Sequence, residues 1–397
     1  MLSVSLIVRN EAERLEACLA SVAGFADEVV VLDTGSDDDT VAVARRCGAE
    51  VHALPWPGDF APARNHALTL VRGEWVLVLD ADERLRPEAR EPLRRLMAEP
   101  DALVVNLLRR ELGATQSPFS SVSRLFRRHP ALRWSRAYHA TIDDSVAELV
   151  SREPRWRLLS CAEPALLHEG YRPERLADGA KAARLRQAME AELRQRPGDP
   201  YACAKLGALE VSEGNPGRGI ALLEQGLDRC GADAAPVRYE LLLHLAIALA
   251  ADQPARAAAL YREALDLPLD PRLQLAARLN LAALLLKGGN PEEAARHARG
   301  TVRLAPDLAI GWYDLGLIER QRGDLPAAIT AYRRAIALDP GHPESHQNLA
   351  VALLLGGDIV GAREGFRTAI GLLHRQGRDA EASALRSRAA AVVKLEP

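Results

Sequence analysis

Between residues 281 and 369 the same residue types return every 34 positions, and this recurrence constrains the fold more than any other feature of the chain. Trp312, Leu315, Gly316, Gly323, Ala328, Tyr332, Ala335 and Pro340 set the pattern. One period earlier the slots hold Leu281, Ala282, Gly289, Ala294, Ala298 and Pro306. One period later they hold Leu349, Ala350, Gly357, Ala362, Phe366 and Ala369. Two weaker copies precede these, one with Leu206, Gly207 and Gly214, the other with Ala257, Tyr261 and Ala264. Small residues let two helices approach closely, and the aromatic fills the gap between successive pairs. A unit of this kind cannot bury its apolar face alone, so neighbours must stack into one continuous core.

The spacing resembles the tetratricopeptide (TPR) helix pair. About five repeats are expected over 198–376, with a polar capping helix and tail over 377–397 and a linking helix over 173–197. The first 172 residues have another rhythm. Apolar runs at Leu2–Val8, Glu28–Leu32, Glu50–Leu54 and Glu74–Asp80 alternate with helix patterns. The first helix follows Glu11 and carries Leu15, Leu19 and Val22 on one face, with Asn10 where an N-cap would sit. Asp39 is placed to cap the next helix, and Pro62 suits the first turn of a third. Strand and helix in alternation predict an α/β domain with a mostly parallel sheet covered on both faces.

Composition narrows the function. The 51 basic and 54 acidic side chains leave a formal charge of −3, which gives no electrostatic case for nucleic acid or an anionic membrane. Apolar runs stay short of the roughly 18 residues of a transmembrane segment, and the N-terminus reads as a strand rather than a signal peptide. Five scattered cysteines without C-x-x-C spacing predict reduced thiols and a cytoplasmic location.

In an open parallel sheet, ligands bind beyond the carboxyl ends of the strands. Three such ends carry polar residues: Arg9-Asn10-Glu11, Asp33-Thr34-Gly35-Ser36-Asp37 and Asp80-Ala81-Asp82-Glu83. On extended backbone Asp80 and Asp82 point the same way. Two hard carboxylates side by side suit Mg²⁺ or Mn²⁺ carrying a diphosphate. Arg64 stands in a helical first turn, where a cation is unfavourable unless an anionic ligand is near.

Together with Asp59-Phe60-Ala61-Pro62-Ala63-Arg64-Asn65, these segments occur in the order found in family-2 glycosyltransferases, which residues 1 to about 135 resemble. With trailing TPR repeats, the chain is similar to the bacterial subgroup that includes bacteriocin S-glycosyltransferases. Ser123-Arg124-Leu125-Phe126-Arg127, Tyr138-His139 and Leu167-His168-Glu169-Gly170-Tyr171 also look like pieces of that subgroup. The resemblance implies a GT-A fold, inversion at the sugar and a nucleotide-sugar donor, a UDP-sugar foremost. It implies that Asn10 and Glu11 help form the base pocket and that Asp33 contacts the nucleoside. Arg64 would face phosphates or sugar, Asp80 the ribose or metal, and Asp82 the metal. Gly35 either permits a turn or lets the backbone approach the nucleotide.

Two departures stand out. Thr34 replaces the second acid of the Asp-Asp-Gly-Ser common among relatives. Ala140 replaces the glutamate expected after His139, a natural general base. Asp143, Asp144 and His139 are the nearby candidates for that role, and His139 could instead complete the metal site. The plain reading of His168 is a core or surface histidine.

The favoured function is a metal-dependent transfer of a sugar to a protein or peptide presented by the TPR repeats, although a solenoid can equally pair two copies of the chain. The alternative is a non-catalytic TPR scaffold whose GT-A domain only binds a nucleotide-sugar. A dinucleotide-dependent oxidoreductase would need G-x-G-x-x-G after the first strand, which is missing.

Overall fold

The structure, a computed structural model, describes residues 1–114, 116–136, 140–170, 179–231 and 234–394. The chain divides into two compact units, Met1–Ala114 with Pro118–Ala202, and Thr115–Ser117 with Cys203–Pro397.

The described strands of the first unit form one eight-stranded sheet. They are β1 (Leu2–Val8), β2 (Glu28–Asp33), β3 (Glu50–Ala53), β4 (Trp75–Leu79), β5 (Glu83–Leu85), β6 (Ala102–Glu111), β7 (Phe119–Arg127) and β8 (Arg157–His168). Their spatial order is β3-β2-β1-β4-β7-β6-β8-β5. The half from β3 to β4 is parallel throughout. Beyond it, β7 runs antiparallel to both β4 and β6, β8 is parallel to β6, and β5 is antiparallel to β8. The sheet is therefore Rossmann-like in its first half and mixed in its second. Chain order departs in opposite directions on the two sides of β1, so the crevice beyond β1 and β4 is the switch point where ligands collect.

The helices of this unit are α1 (Ala12–Val22), α2 (Thr40–Arg46), α3 (Phe60–Leu70), α4 (Arg90–Ala98), α5 (Asp143–Arg152) and α6 (Gly179–Gln195). Every residue of β4 is buried, and the period of two sorts its side chains between two cores. Leu77 and Leu79 join Leu15, Cys18 and Val22 of α1 on one face. Val76 and Val78 join Ile142, Val146 and Leu149 around α5 on the other.

Asn10 does not cap α1. It has φ 55°, and its Oδ1 accepts from the amide of Asp37, 2.9 Å away. Asp39 does not cap α2 through its side chain. Asp38 does so, accepting from the Thr40 amide at 2.9 Å, and its second oxygen accepts from the Ala12 amide at 3.2 Å. One carboxylate thus ties the starts of both helices together.

From residue 200 onward the chain runs in helix pairs: α7 (Pro200–Ser212) with α8 (Pro216–Arg229), α9 (Ala235–Leu249) with α10 (Pro254–Asp266), and α11 (Leu275–Lys287) with α12 (Pro291–Leu304). Then come α13 (Ala309–Gln321) with α14 (Leu325–Leu338), α15 (Pro343–Leu355) with α16 (Ile359–Arg375), and a last helix, α17 (Asp379–Ala390). The repeat dictates the turns. Gly289, Gly323 and Gly357 end the first helix of their pairs with φ between 77° and 87°. Asn290, Asp324 and Asp358 then cap the second helix through side-chain oxygens. Tyr332 is fully buried over Gly316, where an added Cβ would lie 2.5 Å from the ring.

Candidate active site

Short-range chemistry stitches the ends of β1 and β2 together. Thr34 is buried and its hydroxyl donates to the Val8 carbonyl at 3.0 Å, which a carboxylate at that position could not do. Asp33 turns its carboxylate back onto the turn and accepts from the amides of Gly35 and Ser36 at 3.2 Å. Gly35 has φ 103°, so the turn itself requires glycine. The Glu11 amide donates to Thr40 Oγ1 at 2.7 Å.

From β4 outward, charged side chains alternate in sign in one continuous chain. Arg64, 6% exposed, reaches Asp80 Oδ1 at 2.7 Å, and Arg124 reaches Asp80 Oδ2 at 2.8 Å. Arg124 also meets Glu83 Oε2 at 3.0 Å, and Arg109 meets Glu83 Oε1 at 2.5 Å. Arg109 continues to Glu111 Oε1 at 2.9 Å, and Glu111 Oε2 holds His168 Nδ1 at 2.5 Å. His168 Nε2 faces Asp82 Oδ2 across 3.6 Å. Arg14 lies 3.6 Å from the same oxygen and pairs with Glu11 at 2.7 Å.

The protonation states follow from this alternation. Burial alone would raise Asp80, but Arg124 and Arg64 overrule it and hold the carboxyl well below the usual range. Burial opposes the charge on His168, yet Asp82 and Glu111 lift it to about 9. Glu111 is pushed up by burial and brought below its ordinary value by His168 and Arg109. Burial raises Glu11 against the pull of Arg14.

Arg64 has a further feature. Its guanidinium stacks on Trp134, 4.8 Å from the ring centroid, and its buried Nη1 has no hydrogen-bond acceptor among the described residues. Asn65 fixes that wall by exchanging two hydrogen bonds with the Trp134 backbone, at 2.8 and 2.9 Å.

The chain has counterparts among known proteins. Residues 3–158 match the model for Glycosyl transferase family 2, and residues 247–309 and 316–357 match models for tetratricopeptide repeats. A TPR repeat-containing protein of Synechococcus elongatus is 42% identical over 377 residues, covering 94% of this chain and 93% of that one. The chain carries an N-terminal Glycosyl transferase family 2 domain followed by TPR repeats.

An uncharacterized glycosyltransferase of Rickettsia bellii is 32% identical over 154 residues, 36% of this chain and 52% of that protein, so this chain spans about half of its length. The SPbeta prophage-derived glycosyltransferase SunS of Bacillus subtilis is 37% identical over 84 residues, 20% of each chain. Among solved structures, YrrB, described as a TPR protein with an unusual peptide-binding site, covers 50% of this chain and 99% of its own, with TM-score 0.40 and 17% identity.

Within the family 2 domain, contacts join Arg64, Asp80, Asp82 and Glu11 into one network, and Asn10, Asp33 and Gly35 shape the adjoining turn. Asp144 stands elsewhere. It accepts from Ser135 Oγ at 2.9 Å and from Arg136 at 3.0 Å, and Arg136 also binds Glu192 at 2.6 Å and Asp199 at 3.0 Å. Burial works against ionisation of Asp144, but Arg136 draws it below its ordinary value. Asp143 is exposed at the start of α5. Tyr138 and His139 lie outside the described residues.

The sequence suggests a core or surface histidine at His168; the structure places it among charged side chains. It is only partly exposed and sits in the charged network, because β8 lies beside β6 with His168 in register with Glu111. Arg109 and Glu111 alternate on β6 toward one face, a two-residue charge spacing that sequence inspection passed over.

A divalent cation, which the family implies, can be tested against these donors. Among the described residues no cluster of three or more metal-ligating side chains exists. Asp80 spends both oxygens on guanidinium groups. Asp82 and His168 fit better, since donors 3.6 Å apart can share an ion at about 2.0–2.2 Å from each. A carboxylate behind the second ring nitrogen, here Glu111, is the usual way a metal-binding histidine is oriented.

Proposed function

We propose that this chain transfers a sugar, with inversion, from a nucleotide-diphosphate donor to a polypeptide recruited by its TPR repeats. The observation that carries the reading is Arg64: a buried guanidinium at the switch point of the sheet, paired with Asp80, whose Nη1 lacks an acceptor among the described residues. A buried donor without a partner costs about 1–3 kcal/mol, and a diphosphate oxygen would relieve it. A UDP-sugar is the first donor to try.

Asp82 and His168 would hold Mg²⁺ or Mn²⁺, which would neutralise charge developing on the leaving diphosphate. Arg64 and Arg124, kept apart by Asp80, supply fixed positive charge at the same place. Glu111 holds the His168 ring, so Nε2 rather than Nδ1 faces Asp82. The turn of Asn10, Asp33 and Gly35 would receive the nucleoside. Asp143, exposed and outside the Arg136 cluster, is the acid we assign to take the acceptor proton. The five cysteines stand as thiols, which supports a cytoplasmic site of action; no helix among the described residues is long and apolar enough to cross a membrane.

The test incubates the purified chain with Mn²⁺ or Mg²⁺ and a panel of nucleotide-sugars, with free nucleotide as the readout. Release from one donor, lost in Arg64→Ala and Asp82→Asn, supports the reading. No release from any donor, and no donor binding by calorimetry, would remove it.

A further inference from the structure

Within the repeat unit, α11 and α13 are the first helices of successive pairs, and a cavity of about 240 Å³ opens between them. Leu286, Leu317 and Ile318 give it apolar walls, and Asp314 stands in it. The Asp314 carboxylate has no hydrogen bond or ion pair among the described residues. Lys287 also lines the cavity but is exposed and makes no ion pair with Asp314 among the described residues.

The repeat supplies its own control. The slots 34 residues before and after Asp314 hold Asn280 and Asn348, so the helix pair forms with a neutral amide there. The fold does not require a charge at this position. Asp314 is half-buried, and the partial loss of water around its carboxylate lifts it to about 7. A cation brought to the carboxylate would offset this cost and hold the group ionised.

We propose that the cavity between α11 and α13 seats an arginine or lysine side chain of a polypeptide partner, with Asp314 as its counter-ion. The cavity falls below the roughly 300–1,000 Å³ of small-molecule sites, which fits one long side chain better than a cofactor. Its apolar walls would cover the methylene stem while the charged head meets the carboxylate. The inference rests on the reading of the TPR repeats as the recruiter of a polypeptide acceptor, and it names the residue class that acceptor carries.

The probes are immobilised ten-residue Gly-Ser peptides with one central variable residue, exposed to the full chain. Arginine and lysine peptides are expected to be retained at least about tenfold more than peptides carrying citrulline, which has the shape of arginine without its charge. Asp314→Asn, which copies the neighbouring slots, should abolish that preference while leaving the thermal transition in place. Equal retention of arginine and citrulline peptides by the wild-type chain overturns the proposal. So does a preference that survives in Asp314→Asn, or no retention at all. The assay uses no sugar donor, so its failure leaves the transferase reading intact, and a negative donor screen leaves this proposal intact.

Discussion

Glu111 Oε2 lies 2.5 Å from His168 Nδ1, and the opposite ring nitrogen looks across 3.6 Å at Asp82. Glu111 is 3% exposed and is itself held by Arg109 and by the Ser120 hydroxyl. The ring can therefore hardly turn, and it presents one fixed nitrogen to the place where a cation would sit.

The first prediction follows from that geometry. Glu111→Gln keeps the shape of the side chain but removes the charge behind the imidazole. Loss of such a partner commonly costs 10- to 100-fold in metal affinity. Mn²⁺ affinity measured by electron paramagnetic resonance should fall by about that factor, with Asp82→Asn falling at least as far. An unchanged Mn²⁺ affinity in Glu111→Gln would separate this pair from any metal site.

Gly170 gives an independent handle on the same ring. A Cβ added there would stand 2.6 Å from His168 Nε2, closer than real contacts allow. Gly170→Ala should therefore displace the imidazole and lower Mn²⁺ and donor affinity about as much as His168→Ala, with little effect on the melting of the repeat unit. Wild-type affinity in Gly170→Ala would mean that the ring position is unimportant.

In the second unit, Gly316 packs closely under the ring of Tyr332. The added methyl of Gly316→Ala meets the ring at 2.5 Å. Overpacking of this kind costs about 1–3 kcal/mol, which should appear as a lower midpoint in urea. The equivalent slots already hold Ala282, opposite the small Ala298, and Ala350, opposite Phe366. If Gly316→Ala melts like the wild type, Tyr332 has room to move and the packing account is wrong.

What the sequence made legible here was what short separations determine. The 34-residue period carries its own turns, caps and helix contacts, so the repeats were readable residue by residue. The expected same-side pairing of Asp80 and Asp82 is not what forms: β4 ends at Leu79, the Glu83 amide closes a turn onto the Asp80 carbonyl, and the two carboxylates take different partners, Arg64 and Arg124 for Asp80, His168 and Arg14 for Asp82. The other half of the site depends on register. Glu111 and His168 are 57 residues apart and meet because β6 and β8 pair with these two residues as partners. Nothing local announces that pairing. A slip of one residue would turn His168 to the other face. Asn10 and Asp39 failed as caps for a similar reason. Asp38 and the Ser36–Asp37 turn, brought close by the parallel pairing of β1 with β2, compete for the same backbone groups.

The two acids that open α5 should behave differently, and the difference bears on which takes a proton from the acceptor. Asp144 is tied to Arg136 at 3.0 Å and to the Ser135 hydroxyl, with Arg196 3.6 Å away. Its folded-state pKa is depressed, chiefly by Arg136 working against burial. A carboxylate of this kind contributes stability above its unfolded pKa, near 3.9, and loses it as the pH falls through the lower folded value. Asp144→Asn should therefore destabilise the chain at pH 7, by about 1 kcal/mol given its partial exposure. The deficit should shrink toward pH 3, where the wild-type carboxylate begins to protonate as well. A carboxylate held this low is also a weak base. Asp143 is exposed, so Asp143→Asn should shift stability by no more than about 0.5 kcal/mol. If it receives the acceptor proton, turnover should drop by roughly 10²–10⁴-fold with donor affinity unchanged. Urea titrations at pH 3 and pH 7 test the first claim, and initial rates beside donor calorimetry test the second. Wild-type turnover in Asp143→Asn, in Asp144→Asn and in the double variant would show that neither acid of α5 is the base. An acceptor thiol, ionised enough at neutral pH to react without help, would then be the better account of the missing glutamate at Ala140.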